Sequence, residues 1–355
     1  MGIVALVLIA LVAQATPTAP VVAQGSIGGC NTFPPNSIFN TPVDALPVHP
    51  RSSDYVNSIG LNTTLHADFG TVYNGAPNGI PYTTVVGTQA QLLVAFRYAD
   101  ESDPGPYPIP NNPPIEGGPN SDGDRHVLIV DTTNCKLYEL FHTFPPNASN
   151  NAWCVSGQWC ASSGAIWDLN SHALRPDTWT SADAAGLPML PILVRYDEVA
   201  AGEIKHALRF AADITQRAYV WPGRHFASSN TSPTRPPMAQ RFRLKAAVNV
   251  EAMNIAPEAK VIFRALQKYG MFLADNGGNW YIHGVPDPRW DDAELRRAFD
   301  MLHGRDFEAV DSSSLMIDKD SGEARQAQPV PTPTATIAST PFVPNHWVYL
   351  PVILK

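Results

Sequence analysis

The chain has 355 residues, 44% of them apolar and only 16% charged, with a net charge of −8. That balance suits a globular protein with a large core. It excludes a disordered chain and a general nucleic-acid binder, which needs a broad basic surface. The 34 prolines and 24 glycines point away from a helical bundle and toward short strands joined by turns.

Residues 1–15 (MGIVALVLIALVAQA) form an apolar run of signal-peptide length. It closes on Ala13-Gln14-Ala15, a small-x-small cleavage pattern, with a second such site at Val21-Val22-Ala23. No Lys or Arg precedes the run, and it is short for a membrane span, which takes about 20 residues. The expectation is a signal peptide over 1–24 and a secreted or surface-associated protein whose mature domain has no transmembrane helix. Cys30 lies too far beyond the apolar run to be a lipid-bearing cysteine. Export makes the four cysteines a disulfide question, with three possible pairings. Cys154 and Cys160 share one loop and bridge easily, which leaves Cys30 to pin the N-terminus to the strand carrying Cys135. Free buried thiols are the alternative. There is no C-x-x-C spacing, so neither a zinc ribbon nor a thioredoxin-type motif is supported.

Apolar β-type runs follow at 91–98 (QLLVAFRY), 126–130 (HVLIV), 136–141 (KLYELF), 165–169, 192–196, 218–221, 241–248 (RFRLKAAV) and 271–274. Residues 131–134 join two of them as a hairpin. Helices are predicted over 203–210, over 257–269 with Gly270 as its stop, and over 292–303 after the N-cap Asp291. These elements predict a mainly β fold, an antiparallel β-sandwich of jelly-roll type with two or three peripheral helices, filling 25–312 as one domain. A Pro/Thr-rich linker is expected over 313–344, with polyproline geometry in its QAQPVPTPTATIASTPFVP stretch. The last residues, 345–355, end in YLPVILK and are too short to span a bilayer. They resemble the "YLP" tails that follow Pro/Thr linkers on many exported bacterial proteins, which implies surface retention or sorting; a last edge strand is the alternative.

The blocks NSIFNTPVDALPVHP, PIEGGPNSDGDRHVLIVD, TSADAAGLPMLPILVRYDEV and ALQKYGMFLADNGGNWYI together resemble a group of secreted bacterial globular proteins. That resemblance covers most of the body and implies export and a globular fold; it carries over no catalytic residues.

The common serine-hydrolase, zinc-peptidase and nucleotide-binding signatures are missing from the sequence. Period-2 alternation through 241–248 sets Arg241, Arg243 and Lys245 on one face, opposite Phe242, Leu244, Ala246 and Val248. On an acidic protein such a row implies carboxylate neighbours or a polyanionic ligand such as a uronate polymer. Glu139 is in phase with Leu137 and Phe141, so it is either buried against a cation or set in a cleft with a raised pKa. Asp168, behind the candidate stacking residue Trp167, is the second carboxylate that glycoside hydrolysis needs. Tyr219, Trp221, Arg224 and His225 cluster at a strand end, with Trp221 to stack on sugar and the others placed for proton abstraction beside a neutralised carboxylate.

Asn120, Asp122 and Asp124 alternate around Gly123 like part of a calcium loop, although no glutamate completes it and Asp-Gly turns are common without metal. His66, His206 and His283 have no ligand spacing and read as structural. Residues 275–280 (DNGGNW) read as a turn between two strands, either plain hairpin geometry or a loop of the kind that lines sites. Asn62, Asn147 and Asn230 are glycosylation acceptors only in a glycosylating host. The expected function is a carbohydrate-active protein, a polysaccharide lyase or glycoside hydrolase on an anionic or mixed glycan, needing no cofactor. The alternative is a non-catalytic surface module that binds glycan, a cell-envelope component or protein.

Overall fold

The computed structural model describes residues 25–146, 148, 154 and 157–326. In chain order, the elements that frame the site are α1 (Ser52–Ile59), β1 (His66–Asp68), β2 (Tyr82–Val85), β3 (Val127–Asp131), β4 (Lys136–Phe141), β5 (Ser163–Asp168) and α2 (Tyr196–Ala200). After them come β6 (Leu208–Ala212), β7 (Arg241–Leu244), α3 (Pro257–Lys268), β8 (Met271–Asn276), β9 (Tyr281–His283), α4 (Asp292–Phe299) and β10 (Phe307–Ala309). Strands β2 to β5 form one sheet in the order β5-β4-β3-β2. The remaining six form a second, in the order β10-β7-β8-β6-β9-β1.

The fold is mainly β, but its pairing is mixed where an antiparallel sandwich was expected. β6 runs parallel to β8, β9 to β1 and β2 to β3. Parallel neighbours need long crossovers, and the chain supplies them: β7 and α3 intervene between β6 and β8.

Alternation along β3 decides where the core lies. Leu128 and Val130 join the main apolar cluster, which also holds Phe210, Phe242, Leu273 and Ile282 of the six-stranded sheet. Val127 and Ile129 face a second cluster with Tyr107, Tyr138 and Leu140. Each fully buried side chain of this size contributes about 1.5–3 kcal/mol.

Three expected elements change type. The helix expected over 203–210 does not form: residues 203–207 are irregular and 208–210 begin strand β6, whose five residues are all buried. Its helix-prone composition yields to pairing on both edges, a tertiary override of a weak local preference. The strand expected at 192–196 becomes a 3-10 turn, Leu190–Ile192, followed by α2. The run at 218–221 forms only a single bridge, from Tyr219 to Met238.

Helix α3 matches its signals, and α4 starts at its predicted cap but ends at Phe299, four residues short of the expected 303. Pro257 opens α3, and Gly270 turns the chain into β8 at φ +64°; a Cβ there would lie 2.1 Å from the Phe242 carbonyl, so the position requires glycine. Asp291 caps α4 by accepting from the backbone N–H groups of Ala293 and Glu294 at 3.1 and 3.0 Å.

Disulfides join Cys30 to Cys135 and Cys154 to Cys160, so the N-terminal segment is fastened at the start of β4. Such bonds persist in oxidising compartments.

The folded body runs to Arg325, past the expected boundary at 312. Trp221 Nε1 donates to the Ser321 carbonyl at 2.8 Å, and Arg224 pairs with Asp320 at 2.8 Å. The expected signal peptide, the linker beyond 326 and the expected tail lie outside the described residues, as does Asn147. No helix among the described residues is long and apolar enough to cross a membrane.

Candidate functional site

One face of the six-stranded sheet is polar where three of its strands meet the edge. In β6, Arg209 and Ala211 share a face. The register Phe210–Ile282 and Ala211–Tyr281 brings Tyr281 and His283 of β9 into phase with them, and β1 adds His66 and Asp68. Opposite these residues, Phe210 and Ile282 point into the core. β8 would present Asp275 to the apolar side, because Leu273 lies there two residues earlier. A bulge at Ala274 shifts the register, and Asp275 Oδ2 instead reaches Arg209 Nη2 at 3.4 Å. Re-aiming a side chain is what bulges next to sites do.

Two loops cover this face. The 180–187 loop places Asp183 on Arg209: Oδ2 accepts from Nε and lies 3.1 Å from Nη2, while Oδ1 accepts the Ala185 N–H at 2.9 Å. Two carboxylates therefore share one fully buried guanidinium. Burial pushes Asp183 up to about 7 against the pull of Arg209, with Asp275 adding like charge. Burial likewise raises Asp275. Gly186, at φ +70°, is required in this loop, since a Cβ would meet the Trp179 carbonyl at 2.7 Å.

The second loop brings Glu116, Asp124 and His126. His126 Nε2 contacts the Ala182 carbonyl at 3.1 Å and Nδ1 contacts Glu116 Oε2 at 2.6 Å. Burial alone would lower the imidazole, yet the Glu116 carboxylate pushes it up to about 9. One potential ligand atom each from Glu116, Asp124 and His126 lies within 4.8 Å of the others. Burial raises Asp68, and Glu116 and Asp124 add to the rise. His283 is held well below its ordinary value by burial and by Arg209, so it is neutral.

Above these groups opens a cavity of about 350 Å³, lined among others by Tyr98, Glu101, Asp124, Phe141, His225 and Asp275. His225 donates Nδ1–H to the Ala184 carbonyl at 2.9 Å, which leaves Nε2 as an acceptor, 3.9 Å from Glu101.

Of the residues singled out in the sequence, His225 and Asp124 line this cavity, as do Asp275 and Asn276 of the 275–280 turn. The cationic row does not. Arg241 is fully buried and donates to the carbonyls of Tyr269, Ile38 and Thr41, with Phe272 4.1 Å beneath its guanidinium. Arg243 pairs with Glu308 at 2.8 Å and donates to the carbonyls of Val43, Asp44 and Leu46. Lys245 lies beyond the end of β7 and donates to the Arg305 carbonyl at 2.6 Å. These cations hold the 38–46 segment and the 305–308 edge, so no row of free positive charge faces a ligand.

Glu139 is neither in a cleft nor against a cation. Its oxygens accept from Trp167 Nε1 and from the backbone N–H groups of Met189 and Leu190, all near 3 Å. Burial pushes it up to about 7 against those donors. Trp167 is buried as its partner and is not a stacking surface. Asp168 is exposed, caps its own turn at Asn170 and stands three positions beyond Ala165, the residue opposite Glu139, hence on the other face. The proposed carboxylate pair therefore does not form.

Tyr219 donates to Asp177 at 2.8 Å, while Trp221 and Arg224 hold the 319–321 segment. Only His225 of that cluster reaches the cavity. Asn120 and Asp122 are exposed, and Asp124 gathers with Glu116 and His126 instead of with them. His206 is structural, in a buried ion triad with Glu198 and Arg195. His66 and His283 belong to the polar face.

Sequence reasoning missed Asp68, Glu116, His126, Asp183, Arg209, Asp275 and His283 as a set. Alternation through 206–212 and 281–283, read as strands, would have put Arg209 and His283 on one side. Glu116, His126, Asp183 and Asp275 all lie in the blocks that carried the family resemblance.

No protein-family model, curated protein or solved structure matches the chain.

Proposed function

We propose that the protein is an exported, carbohydrate-directed enzyme that works by general acid–base chemistry in the cavity above Arg209. The observation that carries this reading is the meeting of Asp275 and His225 on one cavity wall system, with Asp275 backed by Arg209 and Asp183. Asp275, raised by burial, gives its proton to the leaving oxygen as the glycosidic C–O bond breaks. His225 Nε2 takes a proton from the water that forms the new C–O bond. Tyr98 and Phe141 offer faces on which a sugar ring stacks. Asp183, with both oxygens engaged, is a positioning residue that fixes Arg209.

The substrate class is narrower than the sequence-based expectation of an anionic or mixed glycan. Asp275, Asp124 and Glu101 line the cavity and the Arg241 row is spent elsewhere, so a neutral or amino-bearing glycan fits the charge. Export draws support from the two disulfides and from the apolar run at the N-terminus.

The test is release of reducing ends from neutral and amino-sugar oligosaccharides, with uronate polymers as the contrast. Asp275→Asn is expected to lower turnover by at least about 10²-fold while leaving the melting temperature close to the parent's. Saturable binding with no product would remove the enzyme and leave a binding module; neither binding nor product across the panel would sink the glycan reading.

A further inference from the structure

We infer that Glu116, Asp124 and His126 form a binding site for one divalent transition-metal ion of the zinc or manganese class, open to the cavity. The three ligand atoms already lie within 4.8 Å of one another, close enough for a single ion to replace the space between them. His126 carries the outer contact that metal-bound imidazoles use: its Nε2–H is anchored on the Ala182 carbonyl at 3.1 Å, which orients Nδ1 toward Glu116. Ala182 is in turn next to Asp183, whose carboxylate is locked on Arg209. The Nε2 side of the imidazole is thus held by backbone, which leaves Nδ1 on the Glu116 side.

A second observation concerns His283. It is 9% exposed, and its Nδ1 is the only buried imidazole nitrogen without a partner among the described residues. It stands beside Arg209 on the sheet face that this loop covers, and the charge of His126 acts on it. Asp183, Asp275, Glu116 and Asp124 all act on the Arg209 guanidinium. Asp68 is raised by burial and then by Glu116 and Asp124. An added cation relieves that excess.

The donor set selects the metal. One imidazole with two carboxylates suits zinc or manganese, whereas calcium wants six to eight oxygens. Three protein ligands with Asp124 exposed on the cavity side leave coordination positions for water or substrate, the pattern of reactive rather than purely structural sites. The inference does not depend on the glycan reading, since it rests on Glu116, Asp124 and His126 and assigns no role to Asp275 or His225.

The experiment uses the full chain, stripped with a chelator, dialysed and titrated calorimetrically with Zn²⁺ and with Mn²⁺. Metal content after gel filtration gives the stoichiometry, and Co²⁺ visible absorption reports the ligand field. One ion per chain is expected. Asp124→Asn, at an exposed position that does not endanger folding, should weaken binding by about 10–100-fold or more, the loss typical even of an outer-shell partner. Glu116→Gln should do the same, and Asp122→Asn should leave affinity unchanged. Failure of both metals to bind stoichiometrically would overturn the inference. So would binding that survives both Asp124→Asn and Glu116→Gln, or a preference for Ca²⁺ that Asp122→Asn abolishes.

Discussion

Two halves of one sheet face hold their cations in opposite ways. Arg241 and Arg243 on β7 share the face of Arg209 on β6, since Arg209 and Arg241 both pair with Phe272 of β8. On the β7 half, the 38–46 segment lies over the guanidinium groups and meets them with carbonyl oxygens, Arg243 keeping Glu308 as its single carboxylate partner. On the β6–β9–β1 half, Arg209 meets two carboxylates, His283 keeps an unpartnered nitrogen and a cavity opens above. The two halves share a local pattern in sequence, an arginine followed by a large apolar residue within a strand. The difference lies in the cover. Carbonyls saturate a guanidinium and seal it, while carboxylates leave ionisable groups facing solvent-sized space.

The sharpest way to break this comparison is Arg241→Met. The substitution leaves the carbonyls of Tyr269, Ile38 and Thr41 without their donor in a fully buried place. Each such loss costs about 1–3 kcal/mol, so chemical denaturation should show a destabilisation of about 3–5 kcal/mol. Turnover per folded molecule should stay at the parent level. A variant that kept its stability but lost binding to an anionic polymer would return Arg241 to a ligand-facing role and erase the distinction between the halves.

Another buried arginine tests whether carboxylate partners alone make a site. Arg195 pairs with Glu198 at 2.6 Å, and Glu198 also meets His206 at 2.9 Å, all sealed from the cavity. Burial would raise Glu198, but Arg195 and His206 hold it at about 2, below its ordinary 4.5. A depressed carboxylate contributes stability that is complete above the unfolded value and is lost as pH falls toward the folded one. The loss therefore falls between about pH 4.5 and 2, and amounts to about 3 kcal/mol. Glu198→Gln should flatten that acid limb in denaturation curves taken across the window, with the pH dependence of turnover above pH 5 unmoved. An altered turnover profile would mean that the triad is wired to the cavity.

How much of this was legible in the sequence follows from where each signal is local. The caps of α3 and α4, the hairpin at 131–134 and the mainly β content depend on neighbours within a few residues, and they appear where the sequence puts them. β6 was misread because its register is set by β8 and β9, more than sixty residues further along the chain. That misreading hid Arg209, and with Arg209 the whole polar face. Asp275 was beyond alternation altogether, since it reaches the face only through the Ala274 bulge. Glu139 was rightly placed among apolar neighbours. Its partners, however, are backbone N–H groups of a turn fifty residues away, and composition cannot reveal those.

Lys245 gives the smallest and most diagnostic effect. It continues the alternation of Arg241 and Arg243, yet it stands past the end of β7, half-buried, with the Arg305 carbonyl as its acceptor. A hydrogen bond of this kind contributes about 0.5–1.5 kcal/mol net, and partial exposure lets water replace much of it. Lys245→Ala should thus cost no more than about 1 kcal/mol and leave retention on a uronate column unchanged. If the column instead releases the variant at lower salt than the parent, Lys245 touches the polymer. The positive edge of β7 then regains a function that its two buried neighbours cannot supply.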